Sequence, residues 1–291
     1  MIRPRALFLA SVLGLAVSVC GAWRPAWAGG LEAFAGLSGE LVVSGSEVGL
    51  PLAMALAERV QRDHPAVSVR FSLPGIAGGY KELLDGDSAL FLSDRDAQGF
   101  VPGNRHPRFV PVAVDPVALA VHPSNTVSGV SLAQARDLFR GRVGAWAQLG
   151  GLDKSVLAAF VNVPGVADAP PAWNTPAVAS QSAMRVALTR TPTMAGYLSL
   201  RDLDASVKPL TLDGVYPDMR AFASGDYRVY RMLYAVLPEK PSPLAQAFAD
   251  CLAGPVGQEL AHQVGYAPLE AQPREPSLLP VGLPDLMARA G

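Results

Sequence analysis

The stretch SLPGIAGGYKELLDGD, residues 72–87, sets Gly75, Gly78 and Gly79 directly after a strand-like run and before an amphipathic one. Such a turn suits an anion, because N–H groups at a helix start are unpaired and the helix dipole favours negative charge there. It is not a P-loop. Counted from Gly75, that pattern needs glycine at Tyr80 and a hydroxyl residue at Glu82, and only Lys81 fits. Ser46 stands in G-S-E-V-G, which departs from the G-x-S-x-G nucleophile elbow. His64, His106, His122 and His262 are scattered without metal-ligand spacing. The acids Glu47 and Asp94 have no nucleophile, base or metal set beside them, so an envelope enzyme has little support. No catalytic residue, metal site or cofactor is expected.

The elements that would position these residues alternate between strand and helix. ELVVSGS reads as a strand and LPLAMALAERVQRDH as a helix with Leu52, Leu56 and Val60 near one face. AVSVRFSL alternates as a strand should, GGYKELLDGD follows as a short helix with Leu83 and Leu84 buried, and SALFLSD is a compact apolar strand. This βαβαβ order predicts a largely parallel sheet with helices on its faces. Ligands of such sheets sit outside the carboxyl ends of the strands, which here are VSGSEVG, LPGIAGG and FLSDRD. In FVPVAVDPVALAVHP two strand runs are broken at Asp115-Pro116, where the chain leaves one lobe for another. SLAQARDLF starts a helix at Ser131, AAFVNV is a strand, and VADAPPAWNTPAVAS is a loop rich in proline and alanine. QSAMRVALTRTP should be a helix ending before Pro192. YRVYRMLYAVLP returns to the first lobe as a long strand, and one or two helices in SPLAQAFADCLAGPVGQELAHQVG close it. There is no internal repeat.

Residues 1–28 read as an export signal. Arg3 and Arg5 give a positive start, Ala6 to Val19 an apolar run, and Ala26-Trp27-Ala28 an A-x-A cleavage site. The run is shorter than the roughly 20 residues of a spanning helix. Export to a periplasm with cleavage after Ala28 is expected, in preference to a lipid anchor at Cys20, which lacks the small residue expected just before it. Without the leader and its three arginines, 263 residues remain, with 21 basic and 25 acidic side chains and a net charge of −4. That balance argues against nucleic acid or an anionic membrane as partner. Cys251 is then the only cysteine; it excludes an intrachain disulfide and reads as core filler in AFADCLAG.

SGSEVGLPLAMALAERVQRDHPAVSVRFSLPGIAGGYKELLDGDSALFLSDR resembles the opening of the periplasmic phosphate-binding proteins, the solute receptors of phosphate ABC importers. PVAVDPVALAVHPSNTVSGVSLAQARDLFRGRVGAWAQLGG is similar to the middle of that family. PTMAGYLSL through GYAPL is similar to its closing segment, so the likeness spans roughly residues 40 to 269. The resemblance implies an α/β, two-lobed periplasmic-binding-protein-like fold, with the ligand cleft between lobes joined by two crossovers. Residues 38–113 with 229–269 would form lobe 1, residues 114–228 a shortened lobe 2, and residues 270–291 a proline-rich tail. It implies a ligand-binding set of Ser46, Glu47 and Val48 at the first strand end, Gly75, Ile76 and Ala77 at the second, and Asp94 at the third.

Several of these positions depart from the family. Glu47 stands where the family has threonine or serine, and Ile76 where it has serine. Asp94 matches the aspartate that accepts a phosphate proton; a plain strand-end cap is its other reading. No arginine followed by Ser-Gly-Thr occurs between Trp146 and Met194, so the second lobe's half of the site looks missing. Each charge-assisted hydrogen bond lost forfeits about 1.5–3 kcal/mol, against about 1.4 kcal/mol per decade of affinity. Glu47 either points into the cleft, repelling anions, or is a solvated residue at its own helix start. The reading is an exported solute-binding protein, monomeric, taking phosphate or another oxyanion and docking on an ABC permease, with Arg95 or Arg185 as further donors. The alternative is a divergent binding or assembly module that has lost phosphate and transport.

Overall fold

The computed structural model describes residues 29–94, 101–161, 177–178 and 180–273. The leader, most of the proline- and alanine-rich loop, Arg95 and the tail past Pro273 lie outside the described residues. The first five elements are β1 (Gly39–Gly45), α1 (Leu50–Asp63), β2 (Val67–Ser72), α2 (Gly75–Asp85) and β3 (Leu90–Ser93). β1 pairs in parallel with both β2 and β3, so the three carboxyl ends open on one side, as the alternation predicts. α1 buries Leu52, Leu56 and Val60 against them. α2 begins three residues before the expected Gly78, because Gly75 takes a positive φ of 73° that lets the chain turn in after Pro74. Leu83 is buried as expected, whereas Leu84 is only half-buried. Gly79 faces β3, where a Cβ would lie 2.2 Å from the Phe91 ring.

β4 (Arg108–Val121) corrects the expected break at Asp115-Pro116. It is one strand of 14 residues, not two. Pro111 is tolerated where the register against β12 shifts, opposite Tyr234. Pro116 ends the pairing with β12, and from Val117 onward the partner is β9, so its missing N–H falls at a change of neighbour. The strand nevertheless packs into different clusters on either side of Pro116. Val110, Val112 and Ala113 belong to a core with Leu41, Leu56 and Phe248, while Val117, Leu119 and Val121 belong to another with Trp146, Leu138 and Tyr197.

The chain continues through β5 (Gly129–Val130), α3 (Leu132–Phe139), β6 (Leu157–Ala158), β7 (Phe160–Val161), β8 (Ala177–Val178), α4 (Gln181–Arg190), β9 (Met194–Ser199), β10 (Lys208–Pro209), β11 (Thr211–Leu212) and α5 (Met219–Ser224). Val130, Leu138, Ala158, Tyr197 and Leu212 fill the second core, while Met184 and Leu188 of α4 pack with Met194 and Leu198 in a third cluster. α3 starts at Ser131, whose Oγ accepts from Gln134 N at 3.1 Å while Gln134 Oε1 accepts from Ser131 N at 2.7 Å. β12 (Tyr230–Leu237) returns the chain, and α6 (Pro243–Ala253) and α7 (Pro255–Gln263) close the first core. The large sheet runs β2-β1-β3-β12-β4-β9-β6, with β10 also on β4. β4 and β12 therefore form its shared spine, antiparallel to each other. Cys251 is buried in α6, and burial pushes its thiol up to about 11, which fits core packing and not a nucleophile.

Gly79→Ala is expected to force α2 off β3 and cost about 1–3 kcal/mol. A urea titration should show a lower midpoint at unchanged slope.

Candidate ligand-binding cleft

At the carboxyl end of β3, Asp94 Oδ2 accepts from Arg231 Nη1 at 3.0 Å. Arg231 lies on β12 directly opposite Asp115 of β4, and its Nε donates to Asp115 Oδ2 at 2.7 Å. Asp115 is fully buried and its other oxygen accepts from the Ser199 hydroxyl on β9. Burial works against the Arg231 charge, but the Asp115 and Asp94 carboxylates outweigh it and hold the guanidinium above its ordinary pKa. Arg231 Nη2 remains a buried donor with no acceptor among the described residues.

A second arginine stands close by. Arg201 follows β9 and lies 4.8 Å over the Tyr266 ring, a cation–π contact. Tyr266 comes from the segment after α7 and donates its hydroxyl hydrogen to the Val48 carbonyl, which ties the β1–α1 turn to the same cluster. Arg201 Nε is another buried donor without an acceptor among the described residues. Asp202, 3.6 Å from Arg201, is raised above its ordinary 3.8 by burial; Arg201 offsets part of this, and Asp115 and Glu47 add to it. Arg201 and Asp202 border a pocket of about 260 Å³, which Glu47, Gln181, Ser182, Arg185, Leu203 and Asp204 also line; Arg231, Asp94 and Tyr266 do not line it. Arg185 pairs with Asp204 at 2.9 Å.

Glu47 points into this cleft. Its two carboxylate oxygens accept from Ser182 N and Ser182 Oγ, both at 2.8 Å. The solvated reading at its own helix start does not hold, since Gly49 caps α1 and the first turn has no acid. Glu47 answers instead to the positive end of α4, where Ser180 Oγ accepts from Ala183 N at 3.1 Å. Ser180 and Ser182 thus stand at the start of α4, with Ser182 facing the β1–α1 turn through Glu47. The stretch that would carry the family's arginine, 162–176, lies outside the described residues.

The expected residues are only partly brought together. Ser46 is half-buried, its N–H donates to Leu92 O at 3.3 Å, and its Oγ is a third buried donor without an acceptor among the described residues. Val48 is buried and offers its carbonyl to Tyr266. Asp94 is neither a free acceptor nor a plain cap, since it is held by Arg231. Gly75, Ile76 and Ala77 open α2 but do not line the pocket. The Ile76 side chain packs into a cluster with Tyr80, Leu83 and Phe91. Residues that the sequence reading missed are Arg231, Asp115, Arg201, Ser182 and Tyr266. A charge inside each apolar strand, in PVAVDPVALAV and in YRVYRMLYAVL, was the available signal for the first two.

A family model described as "PBP superfamily domain" matches residues 32–255. The chain belongs to that superfamily. Among its relatives is "Phosphate-binding protein PstS" of Bacillus subtilis (strain 168), 26% identical over 253 residues, covering 80% of this chain and 81% of that protein. A Clostridium perfringens structure, assigned as a phosphate ABC transporter substrate-binding protein with bound phosphate, superposes with a TM-score of 0.69. It is 23% identical and the match covers 79% of this chain and all of that one. An ABC-type phosphate transport receptor from Vibrio cholerae gives 0.65, at 20% identity over 79% of this chain and 99% of that chain. The expected two-lobed α/β fold is the fold of these structures, and PstS is named for binding, not catalysis.

Arg231→Met would leave two buried carboxylates unpaired and is expected to cost about 3–5 kcal/mol in urea titration. Adding Asp94→Asn and Asp115→Asn to it should recover most of that loss. The sign for Asp202 is opposite to that of a salt-bridged acid. Its raised folded-state pKa stabilises the fold while the group is protonated, and that contribution is lost as pH rises through the raised value. Asp202→Asn should therefore gain stability relative to wild type as pH rises above the ordinary carboxylate value of 3.8.

Proposed function

We propose that the chain is an exported solute-binding protein that closes its cleft on a small oxyanion, phosphate first, and delivers it to an ABC permease. The observation that carries this reading is the set of three buried donors, Arg231 Nη2, Arg201 Nε and Ser46 Oγ, that find no acceptor among the described residues. Buried donors left unsatisfied cost about 1–3 kcal/mol each, and an oxyanion supplies the acceptors they lack. The superfamily membership and relatives named for phosphate binding supply the ligand class. The opposing term is charge. Glu47, Asp94, Asp115, Asp202 and Asp204 carry five negative charges against three from Arg185, Arg201 and Arg231. A monovalent or protonated form of the anion is therefore favoured, since it brings less charge and a proton that a carboxylate can accept.

Lobe 1 is taken as residues 38–113 with 229–269 and lobe 2 as 114–228, a division supported by the two cores on either side of Pro116. Export follows from the leader, with cleavage after Ala28. Among the described residues no helix is long and apolar enough to cross a membrane.

Calorimetric titration of residues 29–291 with phosphate, after unfolding and refolding to strip carried-over ligand, tests the reading. Saturable one-site heat is expected. No heat up to millimolar phosphate would contradict it.

A further inference from the structure

The Glu47 carboxylate spans the two sides of the cleft. It leaves the turn between β1 and α1, packed on the first core, and ends on the first turn of α4, whose Met184 and Leu188 pack with Ala120 of β4 and Leu198 of β9 in a separate cluster. A backbone N–H and a hydroxyl at the start of a ten-residue helix are donors that an anionic ligand group would use. Here a side chain of the protein takes both. The contact joins residues 135 positions apart in the chain and borders the 260 Å³ pocket, so it is neither a local turn nor a crowded core contact.

Two features bind the Glu47 contact to the rest of the cleft. The residue beside it, Val48, is pinned through its carbonyl by Tyr266, which also carries the Arg201 guanidinium on its ring. Glu47 also adds a small part to the upward shift of the Asp202 pKa, so the charges on the two walls sense each other. Drawing Glu47 off Ser182 would free the α4 donors and release the turn from the opposite wall in one movement.

We propose that Glu47 is a built-in anion that latches the ligand-free cleft shut and competes with the ligand for the start of α4. The ligand part of this rests on the oxyanion reading above; the latch itself does not. Threonine at this position is too short to reach Ser182 as the glutamate does and carries no charge. Glu47→Thr therefore opens the cleft, leaves the α4 donors to the ligand and tightens anion binding. Each charge-assisted hydrogen bond that no longer has to be displaced is worth about tenfold in affinity.

The test compares wild type and Glu47→Thr by small-angle scattering without ligand, and by calorimetric titration with inorganic phosphate. The ligand-free variant is expected to be more expanded than wild type, to return to the compact form with phosphate, and to bind phosphate at least about tenfold more tightly. Ser182→Ala, which keeps Glu47 and removes one of its two hydrogen bonds, should fall between the two in scattering and guards against a variant that misfolds. Identical ligand-free scattering of wild type and Glu47→Thr, or equal measurable phosphate affinities, would overturn the proposal while leaving the oxyanion reading intact. If neither protein binds phosphate and the variant is still expanded, the latch stands and the phosphate reading fails.

Discussion

A buried guanidinium between two buried carboxylates sets the frame for this molecule. Each of these charges costs several kcal/mol to take out of water, and only good geometry returns that cost. The geometry is supplied by the backbone: Arg231 on β12 stands opposite Asp115 on β4, Asp94 closes the end of β3, and Ser199 on β9 reaches Asp115 from the far side. Four strands thus converge on one ion-pair network, at the point where β4 leaves β12 for β9. A slip of one residue along β12 would turn Arg231 to the other face of the sheet and strand both acids. The network fixes the register of the spine, and with it the place where the two cores meet.

The cleft inherits its chemistry from that frame. Arg231 uses two of its donor nitrogens on carboxylates and keeps a third buried with no acceptor among the described residues. Tyr266 brings the β1–α1 turn and Arg201 to the same place, one through its hydroxyl and the other through its ring. The result is a polar seam with fixed donors and an excess of carboxylates. In such a seam each added negative charge meets the field of the resident acids. Glu47 belongs to this balance: its carboxylate rests on the α4 terminus that would otherwise be the most anion-friendly spot on the second wall.

Much of the fold was legible because its signals are local and repeated. The alternation in AVSVRFSL, the helical spacing of Leu52, Leu56 and Val60, and the Ser131 cap each specify an element within a few residues. The strand ends that open on one side followed from βαβαβ order alone. The site was legible only in part. Glu47 and Asp94 were found, but their partners Ser182 and Arg231 lie 135 and 137 residues away, and no local pattern announces such a pairing. Asp115-Pro116 reads as a break in the sequence because of its proline; a proline at a change of strand partner loses no ladder bond, so the strand continues. The glycines of α2 satisfied an anion pattern from which Ile76 departs, yet Ile76 serves packing and Gly79 the close approach of a helix to Phe91. A glycine-rich turn serves close packing as readily as anion binding, and the turn alone does not distinguish the two.

The most direct measurement is a crystal structure grown in millimolar phosphate, read at Arg231 Nη2, Arg201 Nε and Ser46 Oγ. The account predicts tetrahedral density within hydrogen-bond distance of these donors, with Glu47 drawn away from Ser182. Phosphate found elsewhere, or these three donors occupied by water while Glu47 stays on Ser182, would contradict it.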